Sequence, residues 1–290
     1  MLNQNASITE IIQRRFSCRN YLNLPIAQNK IDNLTGYITN TPPGPFGSRP
    51  RFKLVAATTE DNAALRGLGT YGFIRNPVGF IIGAATPGGK YLEDFGFLME
   101  SIILFATRLG LGTCWLGGSF TRSSFSEKIS LSGEEQIPAT TVVGEFVDSD
   151  KNRSGLIRRF ARGDRRLPWD QLFFNKDFSY PMEQSEKDEM SIALEMLRLA
   201  PSASNKQPWR VVRDGESFHF YLQRTPGYKD SMLKRALGIV DLQRVDMGIA
   251  MCHFEATTKE LGIQGKWISQ EPLIKRFNDL SEYTASWVKS

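Results

Sequence analysis

The chain has 290 residues, 41% hydrophobic and 23% charged, with a net charge of +5, which fits a globular protein of one large domain or two of about half that size. Its three cysteines, Cys18, Cys114 and Cys252, form neither a disulfide framework nor a metal-ligand spacing, so a reducing, cytoplasmic setting is expected. The excess charge sits in one run, "KNRSGLIRRFARGDRR" (151–166), with seven Lys or Arg against one Asp, so the remaining chain is near neutral and offers no basic face for nucleic acid.

In chain order, "MLNQNASITE" lacks the basic-then-apolar pattern of a leader. Ser7 and Glu10 stand in capping-box spacing and predict a short helix running toward Arg15. A second helix is expected after Pro25, then a proline-bracketed loop, "PGPFGSRPR" (43–51), and strands at 52–58 and 78–85. The apolar run "FGFLMESIILFATRLGLG" is broken by Glu100 and Arg108 and is too short to span a bilayer. It reads as a buried helix, about 93–109, stopped at Gly110. A strand is expected at 140–147. Beyond the basic run, a helix opens at Ser185 with Asp188 three residues on, and Met190, Leu194 and Leu197 share one face. A second proline-bracketed loop, "PSASNKQPW" (201–209), a strand at 218–223 and a helix at about 241–261 ending at Gly262 follow.

The chain repeats itself. Pro43 and Pro50 align with Pro201 and Pro208, and "DFGFLMESIILFATRLGLGTCW" aligns without a gap with "DMGIAMCHFEATTKELGIQGKW". Asp94 meets Asp246, Gly96 meets Gly248, Gly110 meets Gly262 and Trp115 meets Trp267. Two ordered matches at similar offsets, 158 and 152 residues, indicate a fused duplication. The element order points to an α+β sandwich rather than a doubly wound sheet. The expected division is a first half (1–150), a basic connector (151–175) and a second half (176–290) in one intertwined unit.

Several kinds of chemistry are disfavoured. There is no phosphate-binding P-loop, and the Gly-x-Gly of "LGLGTCWLGG" follows a helix, the reverse of a dinucleotide turn. His219 and His253 have no Cys, Asp or Glu at ligand spacing, and no nucleophile elbow is present. Three clusters remain. In "RRFSCR", Arg15, Ser17 and Arg19 alternate, and on an extended chain they face one way, suiting a phosphate; a solvated helix end would carry the same residues. In "PSASNKQPW", small residues admit a flat group while Ser202, Asn205 and Gln207 offer hydrogen bonds; an anchored turn would look alike. In "GLGTCWLGG", Gly117 and Gly118 let a ring approach the backbone; close strand packing is the alternative.

Taken together, Arg-x-Ser-x-Arg, Pro-Ser-x-x-Asn-x-Gln-Pro-Trp, a long helix running into Gly-Leu-Gly, and a late Arg before Leu-Pro resemble the nitroreductase family of FMN-dependent oxidoreductases. The resemblance is to its internally duplicated, thermophile-type branch and touches most of the chain. It implies the nitroreductase α+β sandwich, and FMN held where two subunits of a dimer meet. Here the first half retains Arg15, Ser17, Arg19, Gly117 and Gly118 but has a worn loop, while the second half retains the Pro-Ser loop but reads "FNKDFSY" and "KWISQ" where the arm and glycines belong. Two fused half-repeats forming a pseudodimer, monomeric in solution, with one complete FMN site per chain, are therefore expected.

Carried over by the resemblance, Arg15, Ser17 and Arg19 hold phosphate and the pyrimidine edge, with Arg19 near flavin N1 and O2. Arg166, with Arg165 or Arg162 replacing the basic residue that Asp164 displaces, completes the phosphate site. Pro201, Ser202, Ala203 and Asn205 line the ring, and an N–H of Gly117 or Gly118 addresses N5. The implied activity is ping-pong transfer from NADH or NADPH through N5 to a small acceptor: a nitroaromatic, a quinone or free flavin. No protein side chain need act as acid or base, and no metal is implied. The alternatives are a protein that holds or senses FMN without turnover, a relative that has lost FMN, and a nucleic-acid binder acting through residues 151–166.

Overall fold

Two long helices, Tyr91–Arg108 (α3) and Leu242–Glu260 (α7), cross at the centre of the molecule, and the crossing is set by glycine. A Cβ at Gly96 would stand 2.1 Å from the carbonyl oxygen of Val245, and a Cβ at Gly248 would stand 2.0 Å from that of Glu93. The two contacts exchange under the repeat offset, so a local twofold passes through the crossing. Neighbouring backbones can approach this closely only where neither helix carries a side chain. Arg244 ties the helices again with two hydrogen bonds to Glu93, of 2.8 and 2.7 Å.

The structure is a computed structural model, and it describes residues 6–56, 74–118, 122–146, 165–183, 188–228 and 239–290. The first half contains helices Ile8–Arg14 (α1) and Gln28–Thr39 (α2), strands Arg51–Ala56 (β1) and Gly79–Ala84 (β2), α3, strand Gly112–Leu116 (β3), helix Arg122–Ile129 (α4) and strand Thr140–Gly144 (β4). Next come a one-turn helix, Trp169–Leu172 (α5), strand Phe173–Asn175 (β5), helix Glu189–Arg198 (α6) and strands Trp209–Asp214 (β6) and Ser217–Gln223 (β7). After α7 come Gly265–Ile268 (β8) and Ser281–Lys289 (β9).

The sheets repeat the duplication. One is ordered β1-β2-β4-β3 and the other β6-β7-β9-β8, all antiparallel, with β5 added parallel to β6 at its edge. The period-2 alternation of β2 places Ile81 toward the helical layer and Phe80 and Ile82 toward a separate cluster with Phe125. In the second sheet, Phe218, Phe220 and Trp287 pack against Phe254 of α7. The fold is an α+β sandwich of two fused half-repeats, a pseudodimer within one chain. No helix among the described residues is long and apolar enough to cross a membrane.

Most expected elements form. Ser7 and Glu10 make the reciprocal capping box of α1. Leu109 and Leu261 cap α3 and α7, with Gly110 at φ +76 and Gly262 at φ +75 in the left-handed position that follows. Met190, Leu194 and Leu197 are all buried. Two differences stand out. The cap of α6 is Asp188, which accepts from the Ser191 amide while its own amide donates to the Ser191 hydroxyl; Ser185 lies outside the described residues. Strands β5, β6, β8 and β9 were not foreseen: some are very short, and β9 carries polar residues among its apolar ones.

The crossing generates a test. Gly96→Ala or Gly248→Ala forces backbone against backbone and is expected to cost about 1–3 kcal/mol or more. Gly36→Ala, in a helix with nothing within 4 Å of the new methyl, should be neutral or stabilising by about 1 kcal/mol. Chemical denaturation of the three variants checks both directions.

Candidate functional site

Residues 15 to 20 leave α1 and run alongside β3. Ser17 bridges Thr113 in parallel, and the Cys18 amide donates to the Thr113 carbonyl at 2.8 Å. Extension gives the alternation its consequence: Cys18 turns into the core, fully buried, while Ser17 and Arg19 face the other way into a cavity of about 320 Å3. Gly117 and Gly118, just past the end of β3, line the same cavity. From the second half come Pro201, Ser202, Ala203 and Ser204, and from α7 Leu242, Val245, Asp246 and Ile249. Seven of the eleven expected site residues therefore converge, four from one half and three from the other. The volume lies at the lower end of the small-molecule range.

Residues 7–258 match the family described as "Putative TM nitroreductase". The chain belongs to this family. Among solved structures, a putative nitroreductase from Thermotoga maritima is 20% identical with a TM-score of 0.62, covering 99% of this chain and 96% of that one. An FMN-dependent nitroreductase from Clostridium difficile R20291 is 20% identical with a TM-score of 0.41, covering 48% of this chain and 87% of that one. A nitroreductase family protein from Clostridium difficile 630 is 18% identical with a TM-score of 0.42, covering 56% and 94%. No curated protein matches. Membership makes the chain a nitroreductase-like oxidoreductase.

In this nitroreductase the remaining four expected residues stand outside the cavity lining. The Arg15 side chain is buried with its Nε 3.7 Å from Glu100. Arg166 donates to Asn205 Oδ1 and to the Leu199 carbonyl, both at 3.1 Å. Asn205 in turn donates to the backbone carbonyl of Arg165, whose side chain is exposed. Arg19 lines the cavity, and among the described residues its guanidinium has no hydrogen-bond or ion-pair partner.

The Pro-Ser loop is held under strain. Ser204, Asn205 and Gln207 have φ of +52, +54 and +48, a region costing non-glycine residues roughly 1–2 kcal/mol each. The hydrogen bonds that sequence reasoning aimed at a ligand are spent on that shape. Ser202 Oγ accepts from the Gln207 amide, and buried Gln207 accepts from the Leu167 amide while donating to the carbonyls of Arg165 and Asn205. The loop thus presents small surfaces, and the 165–167 segment is bound to it. The glycine pair also has a packing role: Cβ atoms there would meet Leu242 at 2.7 Å and Ile239 at 3.0 Å.

Two features escaped the sequence. Asp246, noticed only as a repeat match, lines the cavity at 3% exposure. Its Oδ1 accepts from the Ala203 amide at 2.9 Å, while Oδ2 is buried without a partner among the described residues, and burial holds the carboxyl well above the usual carboxylate range. Behind Trp115, which also lines the cavity, buried Glu100 accepts from the Trp115 indole at 2.6 Å and meets His253 Nε2 at 2.9 Å. His253 Nδ1 faces the Met196 carbonyl, which can only accept, so the ring carries a hydrogen there and the contact with Glu100 needs a second proton, on ring or carboxyl. His253 and Glu100 lie 153 residues apart and meet only because the halves cross.

The thiols near the cavity are inert by the same physics. Burial pushes Cys18 up to about 11 and raises Cys114, so neither supplies thiolate at ordinary pH. Iodoacetamide at pH 8 is expected to leave both unmodified in the native protein and to label all three free cysteines once the chain is unfolded. Fast native labelling, read by peptide mass spectrometry, would contradict the placement.

Proposed function

We propose that the protein is an FMN-dependent NAD(P)H oxidoreductase with one composite site per chain. The observation that carries this reading is the single cavity joining Ser17, Arg19, Gly117 and Gly118 of the first half to Pro201, Ser202 and Ala203 of the second. The residues fit the cofactor: a cation with no described partner for the phosphate or the electron-rich pyrimidine edge, small residues along a flat face, and a buried polar atom, Asp246 Oδ2, awaiting a hydrogen bond. The FMN-dependent neighbour motivates the same choice.

When bound, FMN would supply two-electron transfer through N5, in ping-pong order, from NADH or NADPH to a small acceptor such as a nitroaromatic, a quinone or a flavin. The chain's own part is position and field. Arg19 stabilises negative charge at the N1 and O2 edge, Ser17 adds a hydroxyl beside it, and an amide of Gly117 or Gly118 addresses N5. Pro201, Ser202 and Ala203 bound the ring face. Arg15 and Arg166 act through what they hold, Glu100 behind the cavity and Asn205 in the loop, and exposed Arg165 lies beside that loop for the phosphate. A first half, a basic connector and a second half within one monomeric, cytoplasmic unit belong to this reading; residues 151–164, with Arg162, lie outside the described residues.

Arg19→Ala should weaken FMN binding by about 2 kcal/mol, roughly thirtyfold, measured by quenching of flavin fluorescence. Arg49→Ala, on the exposed first-half loop, should leave it unchanged. Equal effects would sink the one-site reading. Anaerobic addition of NADH or NADPH to the FMN-loaded protein should bleach its visible absorbance; failure of both to do so would make it a holding protein instead.

A further inference from the structure

The two halves anchor their proline-bracketed loops with equivalent aspartates, and they do so differently. Asp94, at 0% exposure, accepts from the Phe46 amide at 2.9 Å through Oδ1 and from the Ser48 amide at 2.8 Å through Oδ2. Its loop lies so close that a Cβ at Gly44 would stand 2.4 Å from the Asp94 carboxyl carbon. Asp246 receives one amide, that of Ala203, because the short 3-10 turn Ala203–Asn205 turns the Lys206 amide back to the Ala203 carbonyl. Its second oxygen, on a residue that lines the cavity, is buried with no partner among the described residues. The half that has lost its site has a saturated aspartate. The half that has retained its loop has an unsaturated one.

An unpaired buried carboxylate oxygen costs several kcal/mol, and the ordinary escape is to keep the proton. The ionisable groups around Asp246 do not reverse this. Asp241, the N-terminal cap of its own helix, disfavours a second negative charge, Tyr228 and Cys114 are themselves held neutral by burial, and Arg244 is committed to Glu93. Arg19, which lines the same cavity, is the cation left for an occupant.

The structure assigns Asp246 a specificity role: its Oδ2 hydroxyl donates a hydrogen bond to an acceptor atom, a carbonyl oxygen or ring nitrogen, on the edge of a planar heterocycle seated between Arg19 and the Pro-Ser loop. This inference rests on the FMN reading and goes beyond it, since the aspartate's chemistry selects an acceptor edge over a donor edge. The sign follows. A bond donated by the protonated acid is present at low pH and is lost as pH rises through the carboxyl's raised value.

The test is FMN affinity of the wild type, Asp246→Asn and Asp94→Asn, by fluorescence quenching from about pH 6 to about pH 9. Wild type and Asp94→Asn should lose affinity about tenfold where the pH rises through the carboxyl's raised value, one neutral hydrogen bond's worth. Asp246→Asn retains an acceptor for Ala203 and replaces the hydroxyl by an amide donor, so it should bind as the wild type does at pH 6 and hold that affinity to pH 9. Asp246→Asn binding FMN with the wild-type pH profile, or losing FMN at every pH, overturns the assignment while leaving the FMN reading intact. No uptake of FMN by the wild type at any pH overturns both. Should Asp246→Asn fail to fold, the infrared carboxyl band of the wild type labelled at aspartate decides: a protonated band that shifts when FMN is added supports the assignment, and no such band overturns it.

Discussion

Everything functional in this protein depends on two helices crossing at glycine. At Gly96 and Gly248 each helix backbone rests on a carbonyl of the other, closer than any side chain allows. That approach brings β3 and the arm beside it, from the first half, within reach of the Pro-Ser loop of the second. It also sets the partners of the interior: Glu93 with Arg244, Glu100 with His253, Gly117 with Leu242. A single methyl at Gly96 would push first against Val245, which itself lines the cavity.

Duplication gives such a molecule two equivalent proline-bracketed loops, and the two differ in how they are held. In one half the loop has collapsed onto Asp94 and uses both of its oxygens, leaving that carboxylate nothing to offer. In the other the loop stands in left-handed conformations held open by Gln207, Asn205 and Arg166. Strain of this kind persists where surrounding bonds over-determine it, and here they join the loop to the segment leading into the second sheet. The expected phosphate arginines divide accordingly. Arg19 faces the cavity, Arg15 and Arg166 brace the structures that shape it, and Arg165 is exposed beside the loop.

Much of this was legible in the residues. The shared offset linking Asp94 to Asp246 and Gly96 to Gly248 announced both the repeat and its helices, because a helix cap and a glycine contact are local or paired features that recur with the sequence. That residues of both halves line one cavity was legible because the first half retains the arm and the glycine pair and the second the Pro-Ser loop. What was hidden needed coordinates. Asp188 and Ser185 stand three residues apart in one polar stretch, and only backbone geometry selects Asp188 as the cap. Gln207 reads as a ligand contact until its amide is seen holding its own loop. His253 has no acid near it in sequence, since its partner lies across the crossing. Asp94 and Asp246 are identical in the alignment, and the difference between them is one loop amide.

The central claim is one composite flavin site per chain, and the count of flavin tests it most directly. The protein, incubated with excess FMN and freed of unbound cofactor, would be weighed by native mass spectrometry, and the flavin released on denaturation would be quantified against chain concentration. The account predicts one FMN on a monomeric chain. Two per chain, or none after soaking, or one shared by an obligate dimer, would contradict it.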